Sequence, residues 1–485
     1  MSFLKNMPSK LKNSKYFNWI MLSAVLLFVV FKMPYLELPF YWDEAWVYGP
    51  AIRTMEQSGP CLLPGCISQW LHTGHPLLFY FSASLWMQIF GASCFSGHVF
   101  SLLLSVLTLF SFYHIGCKLL NKKIALLSCL LLMTTPIFMA QSGIMVPEIY
   151  LTFFTLWAIY FYLKKKYFLY FLSAICGVYV KESGLVVVCA VALHGILFNP
   201  SNKNWKSRIY YSLAFFSPVL VSSVFYILQY YISGYFFFPR HLNWVDLSFD
   251  SIGAKLNSEL HFVALSQGRN IISFAALIAL PVLLVLKGKS SFTVKVRSTL
   301  ALFLIFLFGF FSFCSLNFLS TRYMLSMIPV YFLLCSFLII KGLDIKKWTF
   351  LPIALVLLSI NLYSLYDNTK KAYPQDFSLA YKDMVEVHQE LVSHLIWNNL
   401  QDKKIITHGL VETALTNPYA GYVTEKDSKK FTSVNKVPKE EAEIIITSIM
   451  EQDEKFKYYK LENREPIKEF KKGNGWCKIY VWDPN

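Results

Sequence analysis

The chain has 485 residues, of which 55% are hydrophobic, 17% aromatic and only 15% charged, and it carries a formal net charge of +16 at pH 7. That is far more apolar sequence than one water-soluble core can hide, so the composition excludes a soluble enzyme and describes a polytopic membrane protein. The positive excess is not a nucleic-acid footprint, because Lys and Arg fall largely in short clusters between apolar runs, where they set membrane topology.

In chain order, the basic segment Met1 to Lys15 leads into the apolar run Tyr16 to Phe31 with no small-residue cleavage site, which predicts an uncleaved anchor whose N-terminus faces the cytoplasm. A first span over Tyr16 to Leu36 exits outward into a loop over residues 37–94. That loop opens with Pro39-Phe-Tyr-Trp-Asp-Glu-Ala-Trp-Val-Tyr-Gly-Pro-Ala-Ile-Arg53. Asp43 and Glu44 lie there among aromatic residues at the membrane boundary, where carboxylates are partly desolvated and tunable. The plain alternative is an interfacial aromatic belt with a solvated acid pair beside it. Cys61 and Cys66 sit close together in Cys-Leu-Leu-Pro-Gly-Cys, where a loop-tightening disulfide and two free thiols are equally open. The run His75 to Gly91 is apolar enough to suggest a span, but a crossing there would deliver Lys118, Lys122 and Lys123 to the outside. It is read as a helix lying along the outer leaflet.

Spans over Phe95 to Leu119, Ile124 to Ala140 and Ile149 to Leu163 then place Glu148 on the outer face, with Lys164 to Lys166 inside. The apolar stretch Tyr167 to Phe198 is bounded by that lysine triplet and by Lys203 to Arg208. At about 32 residues it is too short for two full crossings, which predicts a hairpin of short helices with Lys181-Glu182-Ser183-Gly184 at its apex. Further spans are expected near Ile209 to Tyr231, Asn270 to Leu286, Thr299 to Leu319, Tyr323 to Ile340 and Thr349 to Tyr366. Their loops put Lys287, Lys289, Lys295, Arg297, Lys341, Lys346 and Lys347 inside, and Phe236 to Arg269 and Ser320 to Arg322 outside. The expectation is an α-helical polytopic membrane domain over residues 1–366 with about eleven or more transmembrane helices and outer-face loop helices. From Asp367 the chain turns polar. A helical pattern (Leu379, Met384, Val387, Leu391, Leu395) precedes strand-like runs at Lys404 to His408, Glu443 to Ser448, Phe456 to Leu461 and Cys477 to Trp482, which predicts a small α/β domain over 367–485 facing the compartment of the acids.

The polar residues Asp43, Glu44, His72, His75, Glu148, Lys181, Glu182 and Arg322 thus converge on the outer face. Their order carries a resemblance: Tyr-Trp-Asp43-Glu44, His75-Pro-Leu with an aromatic helix ending in Phe-Gly91, Pro147-Glu148, Lys181-Glu-Ser-Gly184, and Arg322-Tyr323 before a span containing Ile-Pro329. Over about residues 16–345 the chain resembles the protein O-mannosyltransferase and aminoarabinose (lipid A) transferase families, polyprenyl-phosphate-sugar-dependent glycosyltransferases of the GT-C superfamily. The resemblance implies a GT-C fold, Asp43 as the principal catalytic carboxylate and Glu148 in the second acidic position. Two departures stand out: Val146-Pro147-Glu148 replaces the usual Arg-Pro-Asp, and the lysine element here lacks its proline.

The residues fit that chemistry. A sugar on a lipid phosphate already has a good leaving group, so the transfer needs a base for an acceptor hydroxyl and cations for the phosphate. Asp43 is the candidate base, with Glu44 or Glu148 positioning hydroxyls. Arg322, through a bidentate fork, and Lys181 are the candidate phosphate ligands, and a single displacement would invert the anomeric centre. Glu182, Tyr323, His75 and Arg53 complete the substrate-binding candidates. Against these roles stand a mutually neutralising Lys181/Glu182 pair, a snorkelling Arg322, and His72 and His75 as loop structure. No cofactor is expected, and a divalent cation on the acids is not favoured. The expected partners are a polyprenyl-phosphate sugar and a lipid, glycan or protein acceptor. The alternatives are a lipid-linked-sugar transporter or flippase and a membrane-anchored scaffold. Residues 367–485 contain no Asn-X-Ser/Thr sequon, which favours a bacterial plasma membrane with the catalytic loops and C-terminus on the periplasmic side.

Overall fold

The computed structural model describes residues 9–198, 204–286, 292–450, 454–461 and 464–482. Residues 1–8 of the basic N-terminal segment, Lys203, Lys287 and Lys289 of the expected inner loops, and residues 483–485 of the expected C-terminal domain lie outside these.

The chain is a multi-pass membrane protein, but the expected count of about eleven spans does not hold. Among the described residues five helices are long and apolar enough to cross a membrane: Tyr16–Tyr35, Cys94–Leu119, Trp205–Ser233, Val294–Ser315 and Trp348–Lys371. A sixth arises if the bent pair Phe249–Leu265 and Arg269–Val285, inclined at 82°, is one span. Two physical reasons account for the difference.

First, several apolar runs are broken or short. The run expected over Ile124 to Ala140 stops after a 12-residue helix, Lys122–Met133, and restarts at Pro136. Proline fits a first helical turn but not an interior, and the Thr135 hydroxyl takes the freed Leu131 carbonyl at 2.7 Å. The helices Glu148–Leu163, Tyr167–Val180, Leu185–Phe198 and Ile328–Gly342 have 16, 14, 14 and 15 residues. At 1.5 Å per residue they reach roughly 21–24 Å, short of a hydrocarbon core of about 30 Å. Second, their apolar side chains serve the protein interior. Ile124, Leu126, Leu127, Leu131 and Leu132 are all buried, as expected for a helix that is apolar all round.

The bent pair also lies partly where an outer loop was expected. Its elbow is made by Gln267 and Gly268, both in the left-handed backbone region at φ 52° and 78°. The predicted hairpin is present: helices Tyr167–Val180 and Leu185–Phe198 meet at a tight turn over Glu182–Gly184. A Cβ on Gly184 would lie 2.6 Å from the Gly177 carbonyl carbon, so only glycine permits this crossing. The run after His75 is a 13-residue helix, Leu78–Phe90, with Phe79, Tyr80, Ala83 and Met87 on its buried face.

Beyond the Lys347–Lys371 helix, the predicted amphipathic helix forms over Tyr381–Trp397 and buries Met384, Val387, Leu391 and Leu395. It packs on a four-stranded sheet of β1 (Ile405–Ile406), β2 (Ile444–Ser448), β3 (Lys468–Lys472) and β4 (Gly475–Val481), in the order β1-β2-β4-β3. β1 runs parallel to β2, and the other pairs are antiparallel. The expected strand over Phe456 to Leu461 is instead a 3₁₀ turn, Glu454–Tyr459. The remaining strand, β3, is Lys-Glu-Phe-Lys-Lys, whose only buried side chain is Phe470. An edge strand needs one anchor and keeps off other sheets by charge, so it carries almost no apolar signal.

Candidate active site

The first span ends in the segment that carries Asp43. Trp42 holds a left-handed backbone, φ 55°, and Glu44–Tyr48 continue as a single π-helical turn. Both conformations are costly for ordinary residues and persist only where the surroundings impose them. Gly49 closes the turn, since a Cβ there would lie 2.5 Å from the Glu44 carbonyl oxygen. The result points the two adjacent acids in different directions.

Asp43 faces Arg322. Its Oδ2 lies 2.5 Å from Arg322 Nη2, and its Oδ1 accepts from the Trp46 indole N–H at 2.8 Å. Arg322, carried on a 3₁₀ turn over Thr321–Ser326, also reaches Asp376 Oδ2 through Nη1 at 2.8 Å and Glu148 Oε1 through Nε at 3.2 Å. Glu148 opens its helix and takes Lys181 Nζ at 2.8 Å, while its Oε2 is buried with no hydrogen-bond partner. The Lys181 ammonium sits 3.7 Å from the centroid of the Tyr323 ring. Five chain segments thus meet in one buried cluster of alternating charge: Asp43, Glu148, Lys181, Arg322 with Tyr323, and Asp376.

Burial pushes the Asp43 carboxyl up, but Arg322 and the Trp46 hydrogen bond outweigh it and hold Asp43 below the usual range. Asp376 goes the other way: burial, with Asp43 and Glu148 nearby, overcomes the pull of Arg322 and raises it to about 6. The Asp43 side chain keeps 22% exposure against 1% for Glu148, so Asp43 is the acid of this pair that a substrate can touch.

A cavity of about 460 Å³ opens beside Lys181, lined by His75, Glu182, Tyr226, His241, Trp244 and Tyr323 among others. Glu182 Oε2 pairs with His75 Nδ1 at 2.8 Å, and the His75 and His241 rings lie 5.3 Å apart. Burial pushes the Glu182 carboxyl up, yet His75 and Lys181 bring it down to about 2. Burial and His75 together hold His241 down at about 4. Among the described residues, no group of three or more His, Cys, Asp or Glu side chains is arranged to hold a metal ion.

Glu44, Arg53 and His72 are placed elsewhere. Glu44 is buried, accepts from the Met145 amide at 2.7 Å and the Tyr41 amide at 3.4 Å, and lies 2.9 Å from His98 Nε2. It ties the Asp43 segment to the stretch before Glu148. Glu44→Gln should therefore lower thermal stability by about 1–3 kcal/mol, the usual cost of leaving a buried partner unsatisfied, while donor affinity of the folded protein stays within about twofold. Thermal unfolding beside donor titration checks this. Arg53 lies on the Gly49–Ser58 helix, paired with Glu56 at 2.6 Å and 5.7 Å from the centre of the Tyr419 ring. His72 is buried and accepts from the Gly74 amide at 3.2 Å. Cys61 and Cys66 are bonded to each other in the loop that follows the Gly49–Ser58 helix.

Asp376 escaped the sequence reading, as did His241. A signal for Asp376 existed: Tyr373-Pro-Gln-Asp-Phe377 repeats, after the last long apolar run, the pattern of an acid among proline and aromatics that marks Asp43 after the first.

With this geometry in hand, the comparisons with known proteins divide by what they cover. Crystal structures of ArnT from Cupriavidus metallidurans, one bound to undecaprenyl phosphate and one in the apo state, superpose with TM-scores of 0.57 and 0.56 at 12% identity, covering 95% of this chain and 98% of theirs. The chain has the fold of ArnT. Residues 74–227 match the family model of dolichyl-phosphate-mannose-protein mannosyltransferases, a stretch that contains His75, Glu148, Lys181 and Glu182. An uncharacterized protein of Aquifex aeolicus (strain VF5) is 28% identical over 200 residues, 38% of this chain; the match spans 40% of that protein's length. The family-model match and the shared fold bear out the resemblance to GT-C lipid-linked sugar transferases.

Proposed function

We propose that this protein is a membrane glycosyltransferase that moves a sugar from a polyprenyl-phosphate donor to a lipid, glycan or protein acceptor. The reading rests above all on one observation: the Asp43–Arg322–Glu148–Lys181 cluster stands beside an aromatic-walled cavity, the two joined by Lys181. Arg322 and Lys181 take the donor phosphate, and the aromatic walls take the sugar or the first isoprene units. The acceptor hydroxyl oxygen attacks the anomeric carbon. The bond from that carbon to the phosphate oxygen breaks with its electron pair on the phosphate, and the hydroxyl proton passes to Asp43. One displacement inverts the anomeric centre.

The charge pattern explains how a carboxylate weakened by Arg322 can act as a base. Phosphate bound to the guanidinium shares its charge, and the Asp43 pKa rises as the donor arrives. Glu148, deeply buried with one oxygen unpartnered, holds Lys181 and offers an acceptor to a sugar hydroxyl. The lysine-bearing turns at Lys118 to Lys123 and Lys164 to Lys166 support a cytoplasmic side opposite the cluster, and with it the reading of this chemistry as an outer-face reaction.

The test is transfer in proteoliposomes supplied with polyprenyl-phosphate sugars and a lipid-acceptor extract. Release of polyprenyl phosphate together with a glycosylated product supports the reading. Movement of intact donor between leaflets without that release would show a transporter instead.

A further inference from the structure

Each nitrogen of the Arg322 guanidinium lies against a carboxylate in this structure: Nη2 on Asp43, Nη1 on Asp376, and Nε 3.2 Å from Glu148 without a hydrogen bond. A guanidinium that grips a phosphate through its fork must release a carboxylate first. Asp43 and Glu148 both have work in the transfer. We infer that Asp376 is the group that leaves: it holds Arg322 Nη1 in the free protein, and the donor phosphate takes that place, so binding displaces Asp376 and the segment that carries it. This rests on the reading of Arg322 as a donor ligand.

The segment is placed to pass the displacement on. The Tyr41 hydroxyl donates to the Pro374 carbonyl at 2.5 Å, two residues from Asp43 in one chain direction and two from Asp376 in the other. The Tyr373 hydroxyl donates to the Ile449 carbonyl, just beyond β2, and Asn474, between β3 and β4, donates to the Ala372 carbonyl at 3.2 Å. The sheet and the catalytic segment are therefore tied to the same short stretch.

Charge favours the same carboxyl. The cluster holds Asp43, Glu148 and Asp376 against Arg322 and Lys181, so an added phosphodiester anion increases a negative excess. The groups facing Asp376 are Arg322, Asp43, Glu148 and the Tyr41 phenol. With its pKa at about 6, Asp376 is the carboxyl that neutralises most readily. A proton taken from solvent as Asp376 comes off Arg322 restores the balance, and donor affinity then falls with rising pH above that value.

The experiment is a titration of the full chain in detergent with farnesyl methyl phosphate, a phosphodiester whose own charge does not change between pH 5 and 8. Wild type should bind roughly tenfold more weakly per pH unit above about pH 6, one proton being linked to binding. Asp376→Asn should bind as tightly as wild type at pH 5 and show no slope, while Asp376→Glu should keep the slope. An unchanged slope in Asp376→Asn overturns the inference. So does weaker binding by that variant at every pH, which would make Asp376 a support for Arg322. No binding by wild type removes the donor-site reading and this inference with it.

Discussion

Asp43→Asn should lower turnover by about 100- to 10,000-fold, the range a positioned general base contributes, while donor binding survives. Asparagine is nearly isosteric and keeps an oxygen to accept the Trp46 indole N–H, so the left-handed Trp42 and the π-turn behind it retain their support. What disappears is the carboxylate that takes the acceptor proton. The ion pair with Arg322 also disappears, and this frees guanidinium surface for the phosphate; the donor's apparent constant should stay level or fall. Single-turnover kinetics with donor titration on the same preparation separate the two effects. A residual rate above about a tenth of wild type, a barrier change of only about 1.4 kcal/mol, would mean that another group receives the proton.

Arg322→Ala should be the most damaging substitution in the chain. It strands Asp43, Glu148 and Asp376 around an empty space, with Lys181 left as the cation on Glu148. Removing one partner from a buried ion network typically costs about 3–5 kcal/mol, and because Arg322 is what holds Asp376 down at about 6, its loss leaves that carboxyl higher still, so the deficit against wild type should deepen as pH rises above that value. The sign follows from a raised carboxyl pKa: the group binds its proton more readily in the folded protein, so folding gains at low pH and loses as pH climbs through the folded value. Arg322→Lys keeps a charge without the planar fork. It should fold better than the alanine variant and still raise the donor constant by roughly 10- to 150-fold, the equivalent of a charge-assisted contact worth about 1.5–3 kcal/mol. Thermal unfolding across pH, beside donor titration, measures both. Full donor affinity in Arg322→Lys would take the guanidinium out of the phosphate site.

These residues were visible in sequence to unequal degrees. Asp43, Glu148, Lys181, Glu182 and Arg322 could be found because a charge next to a long apolar run is conspicuous and needs a reason. Which of two adjacent acids faces the site could not be read, because it depends on the backbone of Trp42 and on Met145, about a hundred residues away, which takes Glu44. Asp376 was hidden by its setting in a polar stretch, where one more acid draws no notice. The fold shows the same division. The hairpin around Lys181 and the Tyr381–Trp397 helix followed from spacing and pattern. The number of crossings did not, because an apolar run looks the same whether its neighbours are lipid tails or other helices. β3 was missed for the opposite reason, its single buried phenylalanine giving no pattern to detect.

The inequality of helix lengths has a consequence for how the protein meets its solvent. The long helices Tyr16–Tyr35, Trp205–Ser233 and Trp348–Lys371 bury only 28% of their apolar windows inside the protein, whereas the short helices Glu148–Leu163 and Leu185–Phe198 have more than half of their residues buried. The long members act as a sleeve that satisfies the bilayer's thickness on behalf of the short ones. Hydrophobic mismatch, which would thin or tilt the membrane around an isolated 14-residue segment such as Leu185–Phe198, is absorbed within the protein. Charged groups can then sit at the end of a truncated helix, below the level at which lipid would tolerate them.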